Sequence, residues 1–197
     1  MTFHMVASRK DSAGMNISRF IDGDLQEMIS FTEEVSIFSD QFITDTIPST
    51  HPIIYLSRHS AQSLRPSLTV HPIGNFGAAE FGGRNDTLVE CHAFLMKRLL
   101  LNIRDLMTSG EYDLLFDYEI SLEVTHHGPF AKTSVIFIEV GSAEPQWDDL
   151  EACHLIADAI NKTQFDNLSQ GSEWVSVIGF GGNHYATKFT RYTLESE

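Results

Sequence analysis

The chain has 197 residues, a length suited to one domain, or one and a small appendage. Apolar residues make up 42%, including 14 phenylalanines, enough to fill a sizeable core. Acids outnumber bases by 27 to 13, for a formal charge of −14; this argues against broad nucleic-acid binding and against DNA as a partner, because such binding rests on neutralising phosphates with Lys and Arg.

Residues 3–7 read as a first strand, followed by a polar loop to Gly14 and a helical stretch from about Met15. Residues 22–34 are polar and acidic with weak periodicity, and short apolar runs at 35–38 and 53–56 read as strands. Between them, 44–52 reads as a loop holding Pro48 and Pro52; residues 60–66 form another loop, and Leu68–Val70 leads as a strand into His71. Thr87-Leu-Val-Glu90 matches a capping box and is expected to open a helix. Its apolar positions, from Leu95 and Leu99 to Ile103 and Leu106, recur at helical spacing, and Gly110 is placed to stop it. Tyr118, Ile120, Leu122 and Val124 alternate with Glu119, Ser121 and Glu123, the pattern of a half-buried strand. Residues 134–140 form a near-continuous apolar run, as in a sheet covered on both faces. Pro145 is placed at the start of a helix carrying Trp147, Leu150, Cys153 and Ile156, and residues 174–180 read as the last strand. Alternating strands and helices predict one α/β domain over 1–197, its sheet mostly parallel or mixed, with helices on both faces. Cys91 and Cys153 fall in expected helices without metal-type spacing, as buried thiols of a reducing cytoplasm. No run approaches the roughly 20 apolar residues that span a bilayer, and the N-terminus lacks signal-peptide features, so a cytoplasmic monomer without a membrane partner is expected.

Three times an expected strand runs into a glycine loop carrying histidine: at 71–83, 125–129 and 179–185. Loops at the carboxyl ends of strands meet in one crevice in an open α/β sheet, so the three are expected to line one cleft there. The chain has no nucleophile elbow, Walker loop, His-Glu-x-x-His helix or dinucleotide fingerprint. Water activated by histidine, carboxylate or metal therefore fits better than a nucleophilic serine or cysteine. His126, His127, His184 and Asn75 are the catalytic candidates. Adjacent strand residues face opposite sides, so unless Gly128-Pro129 turns the chain first, His127 enters the site with the polar face and His126 supports the fold. Gly74, Phe76, Gly77, Arg58, Gly181, Gly182 and Tyr185 are the candidate substrate contacts; the glycines expose N–H groups for an oxyanion or phosphate, and Arg58 can meet a phosphate. His71, His126, His184, Glu80 and Glu139 are candidate zinc ligands, a catalytic zinc needing about three protein groups and a water. Glu139 interrupts an apolar run, where an unpaired charge is costly, so it is expected to have a partner. Blander readings stand beside these. The histidines can serve backbone hydrogen bonds, Asn75 can simply tolerate a left-handed backbone, and the bases Lys97, Arg98 and Arg104 can form a solvated helix face. His4, His51, His59, His92 and His154 read as surface or core residues, with His59 set apart by its place after Ser57-Arg58.

The segments Ala7–Ile17, Tyr55–His59, Leu68–Gly77, Thr125–Pro129, Phe137–Ser142 and Gly179–Tyr185, in this order, resemble the archaeal and plant type of D-aminoacyl-tRNA deacylase. The resemblance covers nearly the whole chain. Asn183 stands where the family usually has a third glycine, and Ala186-Thr-Lys188 where it has Ala-Pro-Arg; members continue with a further Gly-His motif, so this chain is expected to lack the C-terminal part. The resemblance implies a fold of the phosphorylase and peptidyl-tRNA hydrolase type, zinc dependence, and hydrolysis of the ester of D-aminoacyl-tRNA. The alternatives left open are another hydrolase of that fold (a peptidyl-tRNA hydrolase or zinc aminopeptidase-like enzyme) and a non-catalytic nucleotide- or RNA-binding fragment.

Overall fold

The computed structural model describes residues 3–163 and 175–196. Its strands are β1 (His4–Ser8), β2 (Ile29–Thr32), β3 (Ile53–Arg58), β4 (Ser67–Pro72), β5 (Gly74–Asn75), β6 (Thr87–Leu88), β7 (Glu119–Leu122) and β8 (Val135–Gly141). The helices are α1 (Ser12–Arg19), α2 (Asp40–Thr46), α3 (Ala93–Thr108), α4 (Glu144–Trp147), α5 (Leu150–Asn161) and α6 (Thr187–Glu195). Six strands form one sheet in the order β2-β1-β3-β8-β4-β7, parallel except where β4 runs against β8; β5 and β6 make a separate two-stranded ribbon. The fold is thus a mixed α/β architecture with a mostly parallel sheet. Among the described residues no helix is long and apolar enough to cross a membrane.

The central strands are apolar throughout because both faces are covered. Ile54, Leu56, Ile136, Ile138 and Val140 point into the larger core with α1, α3 and α5. Tyr55, Val135 and Phe137 point the other way, into a smaller core with Ile43 of α2 and Ile47 just beyond it. Glu139 shares the parity of Phe137, so it belongs to this second face.

Several expected elements are replaced. Residues 36–38 form a tight helical turn rather than a strand, and α2 occupies the start of the expected 44–52 loop. Within the polar stretch 22–34 lies β2, an edge strand whose partly exposed positions leave no apolar pattern to read. Thr87-Leu88 does not cap a helix: it pairs with Gly74-Asn75, and α3 begins only after His92, whose Nδ1 accepts from the Leu95 N–H. Cys91 therefore precedes the helix. The expected helix from Pro145 is broken into α4 and α5, because Asp149 caps a new start by accepting from Glu151 and Ala152. Residues 175–180 carry no strand, while Trp174 lies outside the described residues. A strand needs a neighbour's ladder, and the outer edge of β7 is already engaged: Leu122 N–H donates to Thr190 Oγ1 of α6 and Val124 N–H to His184 O.

Asp11 ties the helical layer to the end of β3, just before His59. Its carboxylate accepts from the N–H groups of Gly14 (3.1 Å) and Arg58 (3.0 Å) and from Ser57 Oγ (3.2 Å). Gly14 permits this approach, since a Cβ there would stand 2.3 Å from Leu56 O. Asp11→Ala removes a cap and strands two buried donors, so a loss of about 1–3 kcal/mol in urea unfolding is expected.

Candidate active site

On the second face of the sheet, two buried carboxylates are ringed by histidines. Glu139 sits on β8 between Thr69 of β4 and Ser57 of β3. Because β4 and β8 are antiparallel, His59 at the end of β3 and His71 at the end of β4 approach Glu139 from opposite ends. His59 Nδ1 and His71 Nε2 each lie 3.6 Å from Glu139 Oε2. Glu123, the first residue beyond β7, lies beside them. It meets His59 Nδ1 at 3.1 Å, His184 Nε2 at 3.0 Å and His126 Nε2 at 3.5 Å. Tyr185 completes the ring, its hydroxyl 3.1 Å from His59 Nε2. The rings also touch one another: His71–His126 centroids lie 4.4 Å apart and His126–His184 4.6 Å. The cluster opens to solvent at His184 and His126, whose side chains are 42% and 23% exposed.

Charge is distributed by these contacts. Burial pushes Glu139 upward, but His59 and His71, each 3.6 Å away, overcome it and hold the carboxyl well below the ordinary range. The same balance, with His184 leading, lowers Glu123. Burial disfavours charge on His59 and His71, yet Glu139 outweighs it and raises both. His126 and His127 differ: burial and the neighbouring His71 lower them to about 3 and about 4. His71 Nδ1 lies 3.0 Å from Pro72 O and His126 Nδ1 2.8 Å from Val124 O. A proton on His126 Nδ1 leaves its Nε2 lone pair facing inward, the arrangement a metal ligand needs, and His71 Nε2 would present the same geometry once it gives up its proton. Buried His71 Nε2, His127 Nδ1 and both oxygens of Glu123 lack a hydrogen bond of good geometry, the Glu123 approaches being within ion-pair distance but poorly aligned. Among the described residues, three overlapping groups bring their donor atoms within 4.8 Å: His71–His126–His127, His59–Glu123–His184 and His71–Glu123–Glu139.

The three glycine loops do meet here, beyond the carboxyl ends of the parallel strands β4 and β7. Ile73 bridges to His126, and Gly74 N–H donates to His127 O (2.9 Å). That bond engages one N–H expected to face substrate. The parity argument for His126 and His127 fails: β7 ends at Leu122, His127 lies at φ 25°, and the two rings stand 4.0 Å apart on the same cluster. Glu139 has the partners its apolar surroundings demanded. Asn75 holds its own loop, donating to Gly82 O and Arg84 O. Glu80 is exposed and outside the three ligand groups. Phe76 and Gly77 are exposed, and so are Gly181 and Gly182, at φ +103° and +101°. Arg58 is exposed over the Trp147 ring, 4.4 Å from its centroid.

Glu123 and His59 escaped the sequence reading. Glu123 was on the polar face of an alternating strand, but that face is covered: Ser121 and Glu123 are 7% and 3% exposed. The available signal was an acid three residues before a His-His pair. His92 caps α3, and His154 stacks on Phe20, in keeping with structural roles.

The low values of His126 and His127 have a consequence for the metal-free protein. Unfolded, both titrate near 6.5; folded, they stay neutral until about 3 and about 4. Their contribution is therefore whole above about 6.5 and lost as pH falls toward 4, at up to about 1.4 kcal/mol per pH unit for each. The raised His59 and His71 act oppositely, stabilising below 6.5 and losing that effect as pH rises through their folded values. Urea midpoints compared at pH 7 and pH 4 should shift toward greater relative stability at pH 4 in the double substitution His126→Ala, His127→Ala than in the unaltered chain.

Fold and site together define a mixed α/β protein with a buried histidine–carboxylate centre. A family model described as D-aminoacyl-tRNA deacylase matches residues 47–197. A D-aminoacyl-tRNA deacylase of Methanocaldococcus jannaschii is 35% identical over 100% of this chain and 77% of its own. One of Methanospirillum hungatei is 35% identical over 96% of this chain and 42% of its own. The crystal structure of a conserved protein of unknown function superposes with a TM-score of 0.81, at 31% identity, over 98% of this chain and 72% of that one. The chain belongs to the D-aminoacyl-tRNA deacylase family.

Proposed function

We propose that this chain hydrolyses the ester joining a D-amino acid to the terminal adenosine of tRNA, releasing both, as a chirality-proofreading step of translation. Acting on aminoacyl-tRNA puts the reaction in the cytoplasm, and we assign the monomer as the working form. The observation that carries the reading is the Glu123–Glu139 pair ringed by histidines, in a chain of the family named for this reaction. The other hydrolase readings and the non-catalytic one are not favoured, since family model and relatives carry the deacylase name.

Zinc is the cofactor we assign. The orphaned nitrogens of His71 and His127 and the oxygens of Glu123 are the nitrogen and oxygen donors zinc takes. His71, His126 and His127, or His59, Glu123 and His184, would supply the three protein ligands. Bound there, zinc would polarise the ester carbonyl and make water a better nucleophile at neutral pH. Pro72 O behind His71 and Val124 O behind His126 orient those rings, as acceptors behind metal-binding histidines do, while Glu139 offers its oxygen from the same side as His71 Nε2. Where His59, Glu123 and His184 hold the metal, the 126–127 pair is left free, and one of its neutral imidazoles would accept the proton that the attacking water gives up. Tyr185 fixes the far nitrogen of His59. Rejection of L-amino acids is assigned to pocket shape, a steric exclusion of the L side chain.

The test is release of tyrosine from D-Tyr-tRNA by the full chain, with L-Tyr-tRNA as control and the metal content measured alongside. Release from the D ester alone is expected, lost on chelation and restored by zinc. Glu123→Gln should lower zinc content and reduce the rate about 10²–10⁴-fold while far-ultraviolet dichroism is kept. Absence of D-specific release would remove the deacylase reading; activity indifferent to chelation would remove the zinc.

A further inference from the structure

The loop between β5 and β6 is firmly built, yet it offers two large apolar rings to water. Phe76 is 71% exposed and Phe81 60%. Asn75 Nδ2 donates to Gly82 O (3.0 Å), Asp86 N–H to Gly77 O (2.9 Å) and Ala79 N–H to Asn85 Oδ1 (2.8 Å). Gly82 and Gly83, at φ +84° and +80°, press the loop against its neighbours: a Cβ would stand 1.6 Å from Ile37 O at the first and 2.6 Å from Gly128 O at the second. Gly128 N–H also donates to Phe81 O (3.4 Å). The loop is thereby fastened to the turn that carries His126 and His127. Beyond it, the exposed Arg84 lies with its guanidinium carbon 3.5 Å from the Phe130 ring centroid.

A single exposed phenylalanine needs no explanation; two on one fastened loop beside a reactive cluster do. The ester of an aminoacyl-tRNA is borne by the ribose of its last nucleotide. When that ester reaches the histidines, the terminal base and the unpaired bases before it must lie along the rim. Unpaired RNA is held by stacking on aromatic rings with arginine nearby. A chain of net charge −14 offers tRNA little general attraction, so stacking is the stronger available contribution. We propose that Phe76 and Phe81 are stacking platforms for the unpaired 3′-terminal bases of the tRNA, and that Arg84, seated on Phe130, meets a phosphate of the same segment. This rests on the deacylase reading.

The zinc-loaded full chain is assayed on D-Tyr-tRNA with Phe76→Ala, Phe81→Ala, Phe81→Trp, Phe81→Leu and Arg84→Ala. Each alanine should raise KM about 5- to 100-fold with kcat kept, the range expected for losing one stacked base. Tryptophan at 81 should keep the wild-type KM and leucine should not, which separates stacking from apolar packing. Arg84→Ala should lower the slope of log affinity against log salt by about 0.7. A wild-type chain that deacylates D-Tyr-tRNA beside alanine variants of unchanged KM would overturn the platform and leave the deacylase reading standing. Equal rescue by leucine and tryptophan, or a change of sedimentation in the alanine variants showing that the rings cover a second copy, would also overturn it. A wild-type chain without D-specific release would remove both.

Discussion

An ionised carboxylate in the middle of a covered sheet sets the terms for this molecule. Glu139 is 2% exposed, on a strand every other residue of which packs apolar or small groups. Isolated there, its charge would cost so much that it would simply take up a proton. It stays charged because His59 and His71 reach it from the ends of two strands that run in opposite directions. The antiparallel junction of β4 and β8 is thus more than a topological detail: in an all-parallel sheet the ends of β3 and β4 would lie together, and the acid would be approached from one end only.

Glu123 depends on the same arrangement. His59 lies within reach of both acids, so the two carboxylates and their histidines form one charge system rather than two pairs. Such a system leaves some nitrogens charged and others neutral a few ångströms away, with His126 and His127 on the neutral side. Within one small region the fold therefore offers cations that hold carboxylates and neutral imidazoles that can accept protons or bind metal.

Much of the sheet was legible from residue pattern: the apolar runs of β3 and β8 and the helical spacing of α3 and α5 have no competing interpretation. Where local chemistry was ambiguous, tertiary context decided. Thr87-Leu-Val-Glu90 has a capping pattern, but Gly74-Asn75 supplies a strand partner first. Val175 to Phe180 has the composition of a strand, but the outer edge of β7 is already engaged by Thr190 and His184. In the site, glycine–histidine loops marked His71, His126, His127 and His184 because that pairing of residue types is rare. Glu123 stayed hidden, since alternation shows which residues share a face and not whether that face is wet. His59 was set apart by its place after Ser57-Arg58 yet left among the structural histidines, because nothing local shows that a side chain is aimed across a sheet at two acids.

The members of the charge system are scattered through the chain, from His59 and His71 through Glu123 and Glu139 to His184. Contacts between positions so distant in sequence form late, after long loops have closed. A nascent chain synthesised only as far as β8 holds both acids and has not yet made His184, the histidine nearest Glu123. Up to that moment the region is an incompletely neutralised acidic patch. The charge system is thereby closed only by the last part of the chain, and a region begun by β3 and β4 waits for residue 184 before its acids have all their histidines.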